Sequence, residues 1–288
     1  MSWTQVCCQY DGSFSGFLSC VFDCYVNREE PVEFRTPEDP CCSLYPLRTV
    51  QTREEHARRV YRSMAVKFGA EGQRLVTRGF LTCLPDREMW LWRFIRQGYK
   101  MGPAVVRNLT DPTVDRVRKA VQHLEREAHL LTGFARFSEL DGILVGEIEP
   151  KNRVLPLLRP HFCGRFPQEQ FVLYDRTHKE ALFYAGGKAV IRPLEDFQMA
   201  PPDETEATYR LLWKRFYDTI AIKERENPRC RMTHMPKRYW NTMTEFQDDS
   251  YFKPQNSSAT VPAPVAPDGI PAPATPPAPG LSAPASSP

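Results

Sequence analysis

Hydrophobic and polar positions alternate along the chain with two different periods, and the period changes near Gly133. The first segment, Thr4–Tyr10, reads as a strand closed by Asp11-Gly12, and Phe17, Val21, Cys24 and Tyr25 then recur at helical spacing. Residues 29–47 carry four prolines and read as a loop. Thr52 and Glu55 stand three apart ahead of Ala57, Val60, Tyr61 and Met64, which predicts a helix opened by a capping box. Two further helical segments, 72–84 and 87–99, are separated by Pro85-Asp86. The next helix has the strongest pattern: Asp111 is placed to cap it, Pro112 suits its first turn, and Val114, Val117, Val121, Leu124, Ala128 and Leu131 step by 3 and 4 up to Gly133.

Beyond Gly133 the period is two. The segments 134–140 and 143–150 flank Asp141-Gly142, a hairpin signal, and 170–175 with 180–194 add further strands turned at 176–179 and Gly186-Gly187. Helical periodicity returns over 207–225, where Tyr209, Leu212, Phe216 and Ile220 have core-face spacing, and again over 237–246. The predicted architecture is α+β: a mostly helical N-terminal part, antiparallel β hairpins in the middle and C-terminal helices. Residues 1–250 are expected to form a single α+β domain, with division into a helical 1–132 and a mixed 133–250 subdomain as the alternative. Residues 251–288, dominated by Pro and Ala, predict a disordered tail.

Composition changes this picture little. The net charge is +3, with 41% hydrophobic and 25% charged residues, as in ordinary globular proteins. No apolar run of the length a spanning helix needs is present, and the N-terminus lacks a basic segment followed by an apolar one, so a cytoplasmic protein with no membrane partner is expected. The nine cysteines include the vicinal pairs Cys7-Cys8 and Cys41-Cys42 but no CxxC; Asn27 stands where a CxxxCxxC cluster beginning at Cys20 needs its third thiol. Cys20 and Cys24 are therefore expected to pack inward from one helix face. Phosphate-binding glycine motifs, GxSxG and HExxH are all missing.

Charge distribution is more informative than its total. Between Arg210 and Trp240 nine Lys or Arg face three acids, an excess of six, as suits either phosphate contact or a solvated helix face. Within that stretch Lys237, Arg238, Tyr239 and Trp240 place cations beside aromatics expected at the surface, a combination that can stack bases. On the long helix, Glu125 with His129 and His123 with Glu127 are one turn apart, but two such pairs without a third ligand leave the predicted metal set empty. In "HFCGRFP", 161–167, a Cys163–His161 nucleophile lacks an orienting third group. Arg165, held between Gly164 and Phe166-Pro167, suits either a rigid turn gripping phosphate or a buried pair with Glu147 or Asp175.

The segments "YDGSFSGFLSCVFDCY", "EREAHLLTGFARFSELDGILVGEIEP", "HFCGRFPQEQFVLYDRTHKEALFY" and "LWKRFYDTIAIKERENPRCRMTHMPKRYWNTMTEF" together resemble a family of bacterial proteins described as DNA metabolism or DNA repair proteins, over nearly all of residues 5–247. That family is a domain of unknown function, found alone or ahead of a uracil-DNA glycosylase-like domain. Its genes commonly neighbour a radical-type iron–sulfur protein. The resemblance implies DNA as partner, together with a glycosylase-like or radical-type iron–sulfur repair protein; it specifies no cofactor. Matched positions include Glu127, His129, Arg136, His161, Arg165, Arg225, Tyr239 and Trp240, while Cys163 is not among them. The expected nucleic-acid or phosphate contacts are thus Arg136, Arg165, Arg225, Lys237, Arg238, Tyr239 and Trp240, with Glu127, His129 and His161 as catalytic candidates. Two other readings stand beside this one: a scaffold that docks a repair enzyme, and an acid/base enzyme using His129, His161 and Arg165.

Overall fold

The consecutive buried residues Val6, Cys7 and Cys8 of β1 (Thr4–Gln9) and the helical apolar stripe of α1 (Phe14–Asn27) build the first layer of the fold. The computed structural model describes residues 3–39, 43–195, 197–199 and 202–247, all within one compact unit, Met1–Gln255. Cys41, Cys42 and the expected tail lie outside the described residues. Asp11 organises the entry to α1: its carboxylate accepts bonds from Ser13 N, Ser13 Oγ and Thr52 Oγ1, while Ser13 Oγ accepts from Gly16 N. Thr52 is thereby turned away from the expected capping box, and the N-cap of the following helix is Arg53, which makes no side-chain cap bond.

The stretch expected as a loop opens with a strand instead, β2 (Glu29–Arg35), and runs into another at its end, β3 (Leu47–Thr49); the two flank β1 in a parallel three-stranded sheet ordered β2-β1-β3. Pro31 obscured β2 in the sequence. It pairs with Val6 beside a register shift, on an edge strand, where a missing N–H costs no ladder bond.

Next comes α2 (Glu54–Gly79), which joins two expected helices across a kink at Phe68 and Gly69; Gly69 has φ 82°. α3 (Arg87–Met101) and α4 (Pro112–Phe134) follow. Asp111 caps α4 by accepting from Thr113 N and Val114 N, and all six residues of the predicted stripe are buried. α4 serves two apolar clusters. Val114, Val117 and Val121 pack with Phe17, Phe68, Leu91, Trp92 and Phe94, whereas Leu124, Ala128 and Leu131 pack with Ile148, Phe162, Phe171, Leu173 and Leu182.

The second cluster lies against a five-stranded sheet ordered β4-β5-β6-β7-β8: Phe137–Leu140, Ile143–Ile148, Phe171–Asp175, Glu180–Ala185 and Lys188–Pro193. Three pairings are the expected antiparallel hairpins, but β5 and β6 run parallel and are connected by α5 (Leu155–Arg165). "HFCGRFP" is accordingly the end of a helix and its exit rather than a rigid turn. Pro156, in the first turn, and Pro160, inside the helix, hid α5 from a reading by propensity.

α6 (Glu204–Ile220) and α7 (Pro228–His234) are capped by Asp203 and Asn227. The helix expected over 237–246 is two 3-10 turns, Lys237–Thr242 and Thr244–Phe246, broken at an extended Met243. Among the described residues no helix is long and apolar enough to cross a membrane. Cys7, Cys8, Cys20 and Cys24 are free and buried. Cys8 Sγ lies 3.7 Å from Cys24 Sγ, and hydrogen bonds from Cys20 and Cys24 lower the Cys8 thiol.

Candidate nucleic-acid interface

Glu127 lies on the inner face of α4 between Leu124 and Leu131 and is 2% exposed. Its Oε2 accepts from Asn152 N at 2.9 Å and Asn152 Nδ2 at 2.6 Å; its Oε1 accepts from Lys151 N at 3.0 Å and the Tyr239 hydroxyl at 3.1 Å. The Arg238 guanidinium completes the set at 3.0 Å and also donates to the Tyr239 hydroxyl. Asn152 Oδ1 accepts from Cys83 N, so one buried carboxylate ties together the α2–α3 turn, α4, the β5–α5 loop and the C-terminal segment. Burial, followed by the Glu127 charge, pushes the Tyr239 phenol up to about 12. Tyr239, expected at the surface, is 1% exposed and offers no face to a base. With both oxygens occupied, Glu127 is a structural anchor rather than a general base.

Arg136 is engaged in a second knot. Its Nε and Nη2 grip Glu245 at 3.2 and 2.7 Å, Nη1 donates to the Gly133 carbonyl at 2.7 Å, and the guanidinium lies 5.5 Å from the centre of the Trp213 ring. Trp213 Nε1 donates to the same Glu245 at 3.1 Å. Burial by itself would raise the Glu245 carboxyl, but hydrogen bonds from Arg136 and Trp213, with the Arg136 charge, hold it below the usual carboxylate range. The fork expected to meet phosphate thus closes on a buried acid 109 residues away.

The imidazoles do not join Glu127. His129 is exposed on α4, and Glu125 pairs with Arg74 and Arg78 rather than with it. His161 is exposed on α5, its ring meeting Phe162 edge-on at 4.9 Å. Cys163 is half-buried and burial raises its thiol, which disfavours the thiolate. Clefts of about 560 and 330 Å³ occur around Trp90 and Arg93 and around Tyr10 and Arg87, and none of the predicted site residues lines either. Among the described residues no group of three or more His, Cys, Asp or Glu is arranged to hold a metal ion.

Arg165, Arg225 and Lys237 of the predicted set are exposed, whereas Trp240, expected at the surface, is half-buried and its Nε1 donates to the Met235 carbonyl at 3.0 Å. Arg165 ends α5, exposed, with its guanidinium 5.6 Å from the Phe166 ring centre and no acidic partner among the described residues. Both acids proposed for it are engaged elsewhere: Asp175 accepts from His178 Nδ1 at 2.7 Å, and Glu147, raised by burial, lies 3.9 Å from Arg176. Arg225 is exposed in the turn ahead of α7.

Lys237 and Trp240 belong to a cluster that also includes two residues sequence reasoning missed, Arg231 and Phe246. Trp240 and Phe246 stack with ring centres 4.4 Å apart at 14°. Arg231 of α7 lies 5.3 Å from the Trp240 ring and 5.8 Å from that of Phe246, and Lys237 Nζ lies 5.8 Å from the Trp240 ring. Neither cation has an acidic partner among the described residues, and Arg231 Nε is buried without a hydrogen bond. The signal for Arg231 was its membership of the basic stretch; its placement depended on α7, which the sequence pattern did not disclose.

A family model described as a domain of unknown function matches residues 85–245, more than half of the chain, from the start of α3 through the Glu127 and Arg136 knots to Glu245. No curated protein and no solved structure matches the chain.

Proposed function

The chain belongs to the DUF4130 family of domains of unknown function, and from the chemistry of its own side chains we propose that it is a cytoplasmic component of DNA metabolism or DNA repair that binds DNA or a damaged nucleotide. The observation that carries this reading is the pair of cations, Arg231 and Lys237, resting on the Trp240–Phe246 stack with no acidic partner among the described residues. Protein surfaces that hold single-stranded nucleic acid combine cations that follow the backbone with aromatic rings that meet bases. Arg225 and Arg229, both exposed, extend the positive charge ahead of and into α7. On this reading the chemistry belongs to a partner of the glycosylase type or the radical iron–sulfur type, with this chain contributing substrate contact.

Titration of labelled single- and double-stranded DNA at several salt concentrations tests the proposal. Binding is expected to weaken with salt, and Arg231→Ala with Lys237→Ala is expected to lower the magnitude of the log–log slope by about 0.7 to 0.9 for each phosphate contact removed. Absence of binding, or binding indifferent to salt, overturns it.

A further inference from the structure

β2 is an edge of its sheet: β1 lies along one side of it, and among the described residues no strand lies along the other. Successive residues of a strand in a parallel ladder turn their backbone groups to opposite sides. The Arg35 carbonyl accepts from Tyr10 N at 2.9 Å, toward β1, so the N–H and C=O of Phe34 point out of the free edge, and neither is hydrogen-bonded among the described residues. The open stretch is short. Thr36 N is taken by the Asp39 carboxylate at 2.7 Å, and Pro31, beside the register shift, limits the edge at its other end.

The cleft of about 560 Å³ follows this edge. Its lining includes Val32, Glu33 and Phe34, three consecutive residues of β2, and strand side chains alternate between faces, so a cleft that takes them in succession runs along the edge rather than over one face. The opposite wall is the start of α3, from its N-cap Asp86 to Arg93, and the rim is Ser43–Tyr45, where Leu44 is 100% and Tyr45 43% exposed.

We propose that this groove takes an extended, uncharged segment of a partner protein, which pairs its backbone with Phe34 as an added strand and sets an apolar side chain against Tyr45 and Trp90. Charge and shape favour that occupant. The lining holds three acids, Glu33, Asp86 and Glu88, against one cation, Arg93; Arg116 approaches Trp90 from α4, outside the lining. Arg35 neutralises Glu33 at 2.9 Å, and Glu88 is held by Arg87 at 2.8 Å and by the Tyr10 hydroxyl at 2.9 Å. Asp86 and Arg93 then offset each other, and no net positive charge is left to hold a phosphate backbone. α3 and the 43–45 rim flank the edge, which leaves room for one chain and not for the sheet of a second copy. The contact does not rest on nucleic-acid binding at the Arg231–Lys237–Trp240 cluster.

A displayed library of random peptides of about nine residues, ~30 Å when extended, is selected against the full chain, and enriched peptides are titrated by fluorescence polarisation. They are expected to be uncharged and apolar, and to lose affinity at least about tenfold when alternate backbone amides are N-methylated in one phase but not in the other, because an added strand presents every second amide to β2. Leu44→Asp with Tyr45→Asp is expected to cost a similar factor, with an unchanged circular dichroism spectrum because both positions are exposed. Failure to enrich any peptide, or affinity indifferent to N-methylation in both phases, overturns the strand addition. Peptide binding that survives the double aspartate variant overturns the groove. Displacement of the peptide by single-stranded DNA assigns the groove to nucleic acid instead, and a dimer that the aspartate variant dissociates assigns it to a second copy.

Discussion

Replacing Glu127 by Gln separates an anchoring carboxylate from a working one. The substitution keeps the side chain's shape but puts an amide NH₂ where one oxygen stood, and each oxygen now faces donors: Asn152 N and Nδ2 on Oε2, Lys151 N, the Tyr239 hydroxyl and Arg238 on Oε1. Either orientation sets the NH₂ against at least two donors and removes the charge that Arg238 neutralises. Two bonds to a charged acceptor at about 1.5–3 kcal/mol each, reduced because Arg238 is partly exposed, give a loss of about 3–4 kcal/mol. For a domain of this size that corresponds to a melting temperature lower by roughly 6–16 °C. Thermal unfolding followed by circular dichroism reads this directly, with the exposed His129→Ala as control, expected within about 0.5 kcal/mol of wild type. An E127Q protein that melts within about 2 °C of wild type refutes the reasoning, because the bonds counted would then not be holding the fold.

Two further outcomes follow from the second knot and the sheet. The Glu245 carboxyl is held low in the folded chain, so its contribution to stability is present above the unfolded value of about 4.3 and is lost as pH falls through the folded value; acid titration of Glu245→Gln should show a shallower loss of stability below that pH than wild type, and equal slopes would contradict the Arg136 contact. Gly146→Ala places a Cβ 2.9 Å from the Arg136 carbonyl oxygen and 3.1 Å from the Phe137 ring, where β4 backbone cannot easily yield; a loss of about 1–3 kcal/mol in urea unfolding is expected, and an unchanged midpoint would argue against the β4–β5 register.

Where periodicity and capping chemistry agreed, the fold was legible before any coordinates. The Asp111 cap and the six-residue stripe specified α4, and Asp141-Gly142, both at positive φ, specified the β4–β5 hairpin. Proline misled in both directions. At Pro31 it suggested a loop where an edge strand accepts it, and at Pro156 and Pro160 it concealed a helix that the packing of Leu158 and Phe162 against the second core sustains. The Thr52–Glu55 box failed for a different reason: Asp11, 41 residues earlier, takes the threonine hydroxyl, and local spacing cannot register a competitor that far away.

The site was less legible, because what decides a side chain's role here is its partner across the chain. In sequence Glu127 reads as a polar partner of His123 and a catalytic candidate, whereas it is buried between Leu124 and Leu131 and the donors that saturate it come from residues 151, 152, 238 and 239. Arg136 and Arg165 look alike in sequence, each an arginine next to phenylalanine; one meets Glu245 and the other meets no acid among the described residues. The same limit governs α4 and α6. Both have a helical apolar stripe, and periodicity states only that each stripe needs cover. For α4 the cover is the chain's own two cores; for α6 Tyr209, Leu212, Phe216 and Ile220 remain in solvent, so the spacing that predicted a core face marks an exposed apolar surface instead.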